Sequence, residues 1–320
     1  MKAVLLGLLS SFFFASSFVL NQRMSLGGGS WIWSASLRYI FMIPLLLALV
    51  VIRRGTGALW IEMRRHPLQW LLWSTIGFGL FYAPLCFAAT YSPAWLVAST
   101  WQFTIIAGAL MSPFLNTPKG PEHGTARGVR GIPARSVGIS LIMLAGIGVI
   151  EWSQSTHVPL RGLLSGMIPV IVAAFAYPLG NRKMMNLCEG RLDAYQRTLG
   201  MTIASMPLWV SLSTYRIVIA GLPSPQQSIQ AMIVAIASGV LATTLFFTAT
   251  DWVRNDMHRL AAVEATQAGE VVFALIGGLL IIPGTSVSVV DLAGLALVVV
   301  GMVFHSLGFR PAGSRTNSIE

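Results

Sequence analysis

Ten transmembrane helices, arranged as two inverted five-helix repeats of an all-α integral membrane protein, are predicted by three features of this sequence. Of its 320 residues 55% are hydrophobic and only 10% charged, well short of the roughly 25% charged residues that a water-facing surface uses. Apolar runs of spanning length recur from one end of the chain to the other. Lysine and arginine fall almost wholly in alternate gaps between those runs.

A hydrocarbon core of about 30 Å needs roughly 20 helical residues to cross it. Runs of that kind lie near 2–21, 31–52, 68–90, 93–113, 135–152, 162–181, 196–216, 228–250, 259–282 and 289–308. They are continuous rather than alternating, which favours helices over barrel strands. The first run follows a single lysine and resembles a signal peptide. However, Asn21-Gln22-Arg23-Met24 offers no small-residue cleavage site, so it reads as a retained span.

Positive loops are held on the cytoplasmic side. With the N-terminus inside, the inner segments carry Lys2, Arg53, Arg54, Arg64, Arg65, Lys119, Arg127, Arg130, Arg135, Arg182, Lys183, Arg191, Arg197, Arg254, Arg259, Arg310 and Arg315. The outer loops carry Arg23, Arg161 and Arg216, and Arg38 stands alone inside a span. This asymmetry predicts a multi-pass protein of the cell membrane with both termini cytoplasmic. Trp31, Trp33, Trp70, Trp95, Trp152 and Trp252 fall at span ends, where indole rings anchor to the interface.

The net charge of +10 could suggest nucleic acid as a partner. The basic residues instead punctuate apolar runs, so the partner they imply is the lipid bilayer and not nucleic acid. Cys86 and Cys188 provide neither a disulfide framework nor a metal spacing. No glycine-rich phosphate loop marks an ATP-driven pump. The reading therefore calls for no cofactor and no metal. Residues 113–133, rich in Pro, Gly and basic side chains, read as a cytoplasmic loop.

Internal matches suggest the repeat. Asn21-Gln22-Arg23-Met24 parallels Asn181-Arg182-Lys183-Met184, and Ala89-Thr90 parallels Ala249-Thr250. Ser99-Thr100-Trp101-Gln102 has its counterpart near Glu264-Ala265-Thr266-Gln267, and Gly138 and Ala145 match Gly294 and Gly301. The implied division is a first repeat over 1–152, an outer linker at 153–160, a second repeat over 161–309 and a cytoplasmic tail at 310–320. Five is odd, so the second half enters the membrane from the opposite side, as in many secondary transporters.

Most spans hold nothing more polar than Ser, Thr or Gln. The ninth holds Glu264, Gln267 and Glu270 at intervals of three, a spacing that draws a continuous arc on which Thr266 also borders. Ala261, Ala265 and Gly269 form a small-residue ladder on another face. Measured from Arg259, Glu264 lies about 7 Å and Glu270 about 16 Å along the helix, the latter near the bilayer centre. Arg38 lies about 10 Å from Trp31 and is placed to reach Glu270 if their helices adjoin. Intramembrane charges mark pathways, relays or ion-pair partners. Glu270, Gln267, Glu264, Arg38, Gln102 and Thr266 are thus the candidate substrate or proton site. For each there is a bland alternative: an ion pair between Arg38 and Glu270, interfacial snorkelling for Glu264, and interhelical hydrogen bonds for Gln102 and Gln267. Glu151 and Asp291 read as span-end capping groups, and His305 as an interfacial histidine.

The segment from Leu260 to Phe273, LAAVEATQAGEVVF, followed by Gly277-Gly278, resembles the ten-helix multidrug resistance efflux branch of the drug/metabolite transporter superfamily. The Arg38-bearing second helix and the Gly294-x6-Gly301 spacing are similar to that superfamily too. The resemblance covers essentially the whole chain. It implies a central cavity and export of a small molecule, a metabolite or a lipophilic cationic drug, by alternating access with protons as a candidate coupling ion. The related four-helix multidrug transporters carry a glutamate in their first helix, whereas the first and sixth helices here have no acidic residue. Two other readings stand beside this one. One is a membrane enzyme using Asp251, Asp256 and His258 at the cytoplasmic boundary, and the other is a channel or scaffold. Substrate, direction and oligomeric state are left open by the sequence.

Overall fold

A computed structural model describes residues 1–115, 134–155 and 160–307. The expected cytoplasmic loop after Leu115, part of the expected linker and the C-terminal tail lie outside the described residues, as do the side chains of Glu151 and His305. The described residues are helical throughout, with no strand.

The helices are α1 (Lys2–Leu26), α2 (Trp31–Ile52), α3 (Thr56–Arg65), α4 (Pro67–Ser74), α5 (Leu80–Ala88), α6 (Ala94–Trp101), α7 (Phe103–Leu115) and α8 (Ala134–Ser155). They continue with α9 (Leu160–Cys188), α10 (Ala194–Ala204), α11 (Met206–Ala220), α12 (Pro225–Val234), α13 (Thr243–Trp252), α14 (Met257–Ala265), α15 (Gly269–Ile281) and α16 (Val289–Leu307). Six helical stretches among the described residues are long and apolar enough to cross a membrane, or seven if the bent pair α10 and α11 is one span. The expected fourth run is split at Gln102 into α6 and α7, of 8 and 13 residues. Neither piece could cross alone. In the expected fifth and tenth runs the apolar stretches are the shorter Leu141–Ile150 and Val289–Gly301.

Local chemistry sets the boundaries. Gly27-Gly28-Gly29 ends α1: the Gly27 and Gly29 amides donate to the carbonyls of Arg23 and Met24, and Gly28 takes φ +78°, which glycine adopts without a Cβ clash. Asp193 starts α10 with a reciprocal capping box to Gln196. Ser288 and Asp291 exchange side-chain bonds with each other's amides at the start of α16, so Asp291 has the capping role expected of it.

Several helices are interrupted rather than straight. The third run carries a π-helical turn at Thr75–Gly79 between α4 and α5, and the eighth a longer one at Ala235–Ala242 between α12 and α13. The ninth tightens into a 3₁₀ turn at Thr266–Ala268 between α14 and α15. Such irregular backbone is tolerated at membrane depth where other parts of the protein satisfy it. Helix α1, central to the bundle, does so: Ser10 Oγ donates to the Ala242 carbonyl at 2.8 Å and Ser11 Oγ to the Thr266 carbonyl at 2.6 Å. Gly269 of the small-residue ladder lies against α1, where an added Cβ would sit 3.1 Å from Leu8. Helices α8 and α16 pack on each other at Gly146 and Gly294, and a Cβ on either would stand 2.7 Å from the other's carbonyl oxygen.

Three expectations about polar residues are corrected. Arg182 and Arg197, assigned to cytoplasmic loops, are buried within α9 and α10, because α9 runs on to Cys188. Asp251, named above with the membrane-enzyme reading and expected in the loop between the eighth and ninth runs, lies instead in α13 and is the carboxylate that Arg197 engages at 2.6 Å. Of the six span-end tryptophans, Trp33, Trp70 and Trp95 are buried among helices, while Trp152 and Trp252 are exposed as anchors should be. Composition locates an indole near a span end, but packing decides whether the ring faces lipid or protein.

Candidate functional site

Two interruptions meet in the middle of the bundle. Gln102, at the break between α6 and α7, donates from Nε2 to its own helix at Ala98 (2.8 Å) and to the carbonyl of Gln267 in the 3₁₀ turn (3.3 Å). Gln267 of that turn and Glu270 in the first turn of α15, three residues apart, lie on one side of the helical run. A small cavity opens beside them. Helix α1 contributes Phe14, Ser17 and Phe18, α5 contributes Phe81 and Leu85, α6 contributes Trp101 and α9 contributes Tyr177. Its volume, about 10 Å³ of positions for a water's centre, is room for about one water.

The wall is aromatic. Tyr177 packs on Phe81 with ring centroids 4.5 Å apart, Phe81 on Trp101 at 5.1 Å, and Tyr177 on Phe247 at 6.5 Å. Phe247 continues through Phe78 to Tyr39, which stacks on Trp209 at 4.5 Å and 10°. A column of rings thus runs from α11 to the cavity.

Glu270 is the charge-bearing group of this chamber. It is 1% exposed, its carboxylate accepts a hydrogen bond from Trp101, and its Oε1 has no partner. Gln267 Nε2, Gln102 Oε1 and the Tyr177 hydroxyl are likewise buried and unpartnered. Buried polar groups are nearly always bonded, so the three orphans on lining residues of one cavity, those of Glu270, Gln267 and Tyr177, mark a place that takes a polar occupant.

The other candidates are not assembled here. Glu264 lies on the same helical run but faces α9. There Arg182 holds it with bonds of 3.1, 2.8 and 2.6 Å, and Arg182 Nη1 donates to the Gly108 carbonyl at 2.7 Å. Thr266 turns its hydroxyl back to the Val263 carbonyl and packs on Gly7 of α1, away from the cavity. The arc expected for the ninth run is therefore divided. Six residues apart on a helix turning about 100° per residue, Glu264 and Glu270 stand up to about 120° apart, enough for one to face α9 and the other the cavity.

The expected ion pair between Arg38 and Glu270 does not form. Arg38, 1% exposed, spends its donors on neutral acceptors: the Tyr39 hydroxyl (3.3 Å), the Ser238 carbonyl (3.2 Å) and Ser238 Oγ (3.1 Å). Its guanidinium lies over the rings of Tyr82 at 4.0 Å, Tyr39 at 5.1 Å and Phe81 at 5.9 Å. Depth along the helices allowed contact, but the rings occupy the space between. Sequence reasoning missed Trp101 and Tyr177, both apolar-looking residues in apolar runs. The signals available were Trp101 beside Gln102 and Tyr177 before Pro178, a proline inside an apolar helical run.

The family profile described as "EmrE: Putative multidrug resistance efflux transporter" matches residues 1–310. The chain belongs to this family. Among curated relatives of this EmrE-like chain is "Uncharacterized protein YjlA" of Bacillus subtilis (strain 168), 49% identical over 312 residues, 97% of this chain and 96% of that protein. An "Uncharacterized 42.1 kDa protein in intracellular alkaline protease 3'region" of Shouchella clausii is 48% identical over 273 residues, 84% of this chain and 70% of that one. A solved crystal structure superposes with a TM-score of 0.64 over 98% of this chain and 99% of its own, at 13% identity, a likeness of fold alone. The EmrE-like chain is thus a multi-pass membrane protein of a transporter family.

Proposed function

We propose that this protein is a secondary exporter that moves a small molecule by alternating access around the Glu270 chamber, with protons as the coupling ion. The observation that carries the reading is the orphaned Oε1 of Glu270, a 1% exposed carboxylate at the meeting point of two broken helices. Interrupted helices in corresponding places of two halves point to the binding site of a secondary transporter.

The ten-span, inverted-repeat arrangement, with halves at 1–152 and 161–309 and both termini cytoplasmic, belongs to this proposal. It is supported by paired irregularities. The π turns begin at Thr75 and Ala235, 160 residues apart, the same interval that separates Asn21 from Asn181. The fourth and ninth runs each break after a short first helix. Gln22, just after the first run's apolar core, bonds the fourth run at the Ala94 amide (2.7 Å), and Arg182, at the matching place after the sixth, bonds the ninth run at Glu264.

A carboxylate that binds either a proton or a cationic group couples the two, since each excludes the other. Glu270→Gln keeps the shape and removes the exchange. In proteoliposomes with an imposed pH gradient, the well-folded variant should lose proton-driven flux, by roughly a hundredfold as for removal of a group acting in proton transfer. Undiminished proton-driven flux in that variant would remove Glu270 from the mechanism.

A further inference from the structure

Among the described residues, most buried charges are held by an opposite charge. Arg182 holds Glu264, Arg197 holds Asp251, and Arg191 holds the buried Glu62 at 2.8 Å. Arg38 and Glu270, each 1% exposed, share no ion pair and stand in one neighbourhood. Burying a charge without a counter-charge costs several kcal/mol, so a chain that leaves two opposite ones unpaired in one neighbourhood is keeping both open.

The two are neighbours without touching. Phe81 lies under the Arg38 guanidinium and also lines the cavity with Glu270. Tyr177 packs on Phe81 at 4.5 Å, lines the same cavity, and has its hydroxyl unpartnered. Arg38 Nε is unpartnered, and its other donors make bonds of 3.1–3.3 Å to neutral oxygens. These are longer than the 2.7–2.9 Å of a charge-assisted bond to a carboxylate. Glu270 Oε1 is unpartnered on the other side of the rings.

We propose that the chamber selects a zwitterion once the Phe81 and Tyr177 rings that part Arg38 from Glu270 move aside and widen its present room for about one water. The zwitterion is a small molecule whose anionic group replaces the weak neutral contacts of Arg38 and whose cationic group meets Glu270, with its apolar body against Phe81, Trp101 and Tyr177. This deepens the exporter reading and rests on it for the claim that the ligand is cargo. Guanidinium suits a planar carboxylate by matching its two oxygens. An ammonium group beside Trp101 and Tyr177 gains from the ring faces as well as from the carboxylate. The arrangement also excludes. A lipophilic monocation attracted by Glu270 meets the uncompensated charge of Arg38, and a monoanion attracted by Arg38 meets Glu270. Repulsion of the wrong charge class is how a site gains specificity beyond its attractive contacts.

The test uses purified full-length protein in detergent, wild type and two variants, and calorimetric titration with four probes. These are L-phenylalanine, its methyl ester (cationic only), N-acetyl-L-phenylalanine (anionic only) and tetraphenylphosphonium. The zwitterion should bind, and each single-charge analogue should bind roughly tenfold or more weakly, the scale of one lost charge-assisted hydrogen bond. Arg38→Gln should improve the ester relative to the zwitterion, and Glu270→Gln should do the same for the N-acetyl derivative. Folding of both variants is checked by their elution as single species. If the ester or tetraphenylphosphonium binds as tightly as the zwitterion to wild type, or if Arg38→Gln leaves the ratio unmoved, the proposal falls. Flux of the bound probe in proteoliposomes is scored separately. Binding without flux would defeat the exporter reading and leave the charge selection standing, while flux of monocations alone would do the reverse.

Discussion

Arg182 grips Glu264 with two nitrogens, Nε and Nη2, inside the bundle, while its remaining terminal nitrogen holds the carbonyl of Gly108. One guanidinium therefore ties α9, α7 and α14 together. Removing either partner strands the other, so Arg182→Ala or Glu264→Ala should destabilise the fold by about 3–5 kcal/mol. A double replacement by apolar residues of similar volume should cost much less than the sum. Melting of the three variants in detergent checks this; a double variant whose loss equals the sum of the two single losses would show that no pair existed.

Arg38 and Glu270 should behave oppositely. They share no ion pair, so the losses in melting temperature from Arg38→Ala and Glu270→Ala should add, within the roughly 0.3–0.5 kcal/mol typical of independent sites. A double variant more stable than that sum would reveal a contact between them.

The corner between α3 and α4 holds a pH-sensitive clasp. Glu62 on α3 is 2% exposed and accepts from Arg191 at 3.0 and 2.8 Å, with Arg65 at 3.5 Å. The Arg191 hydrogen bond, opposed by burial and helped by the charges of Arg191, Arg65 and His66, holds the Glu62 carboxyl below its usual 4.5. Its stabilisation is therefore full above the unfolded pKa and is lost as pH falls through the folded one. Wild type should melt progressively lower below about pH 4.3, the range where an unperturbed glutamate titrates. Glu62→Gln should melt lower at neutral pH and lack this acid-dependent component. An identical acid profile for the two proteins would assign the loss elsewhere.

Gly146 and Gly294 bring α8 and α16 to backbone contact, with the Cβ of either replacement 2.7 Å from a carbonyl oxygen. Backbone cannot step aside as a flexible side chain can, so Gly294→Ala should cost about 1–3 kcal/mol, the range for overpacking. Gly138→Ala on α8, where nothing lies within 4 Å, should be close to neutral. Paired thermal melts decide it.

Orientation is testable at two exposed turns. A cysteine at His66 should resist a membrane-impermeant thiol reagent in intact cells, whereas one at Gly27, with φ −78°, should react. Both native cysteines are buried, so background labelling should be low. Labelling of the His66 position from outside would overturn the proposed N-inside topology.

The sequence by itself determined the solvent and the secondary structure. A chain this apolar can only be clothed by lipid, and in lipid the backbone must bond to itself, which leaves helices. It also singled out Glu270, Gln267 and Gln102, because a polar group in a 20-residue apolar run has no cheap explanation. What it could not decide is which charges meet. Helical period places Glu264, Gln267 and Glu270 on one arc, but that arc is wide enough to meet two neighbours, so Glu264 goes to Arg182 and Glu270 to the aromatic chamber. Depth along two helices brings Arg38 and Glu270 to similar heights, yet the rings of Phe81 and Tyr177 fill the space between their helices. Pairing depends on the rotation and neighbours of each helix, and these are set by packing across the whole bundle, which no local stretch of sequence encodes.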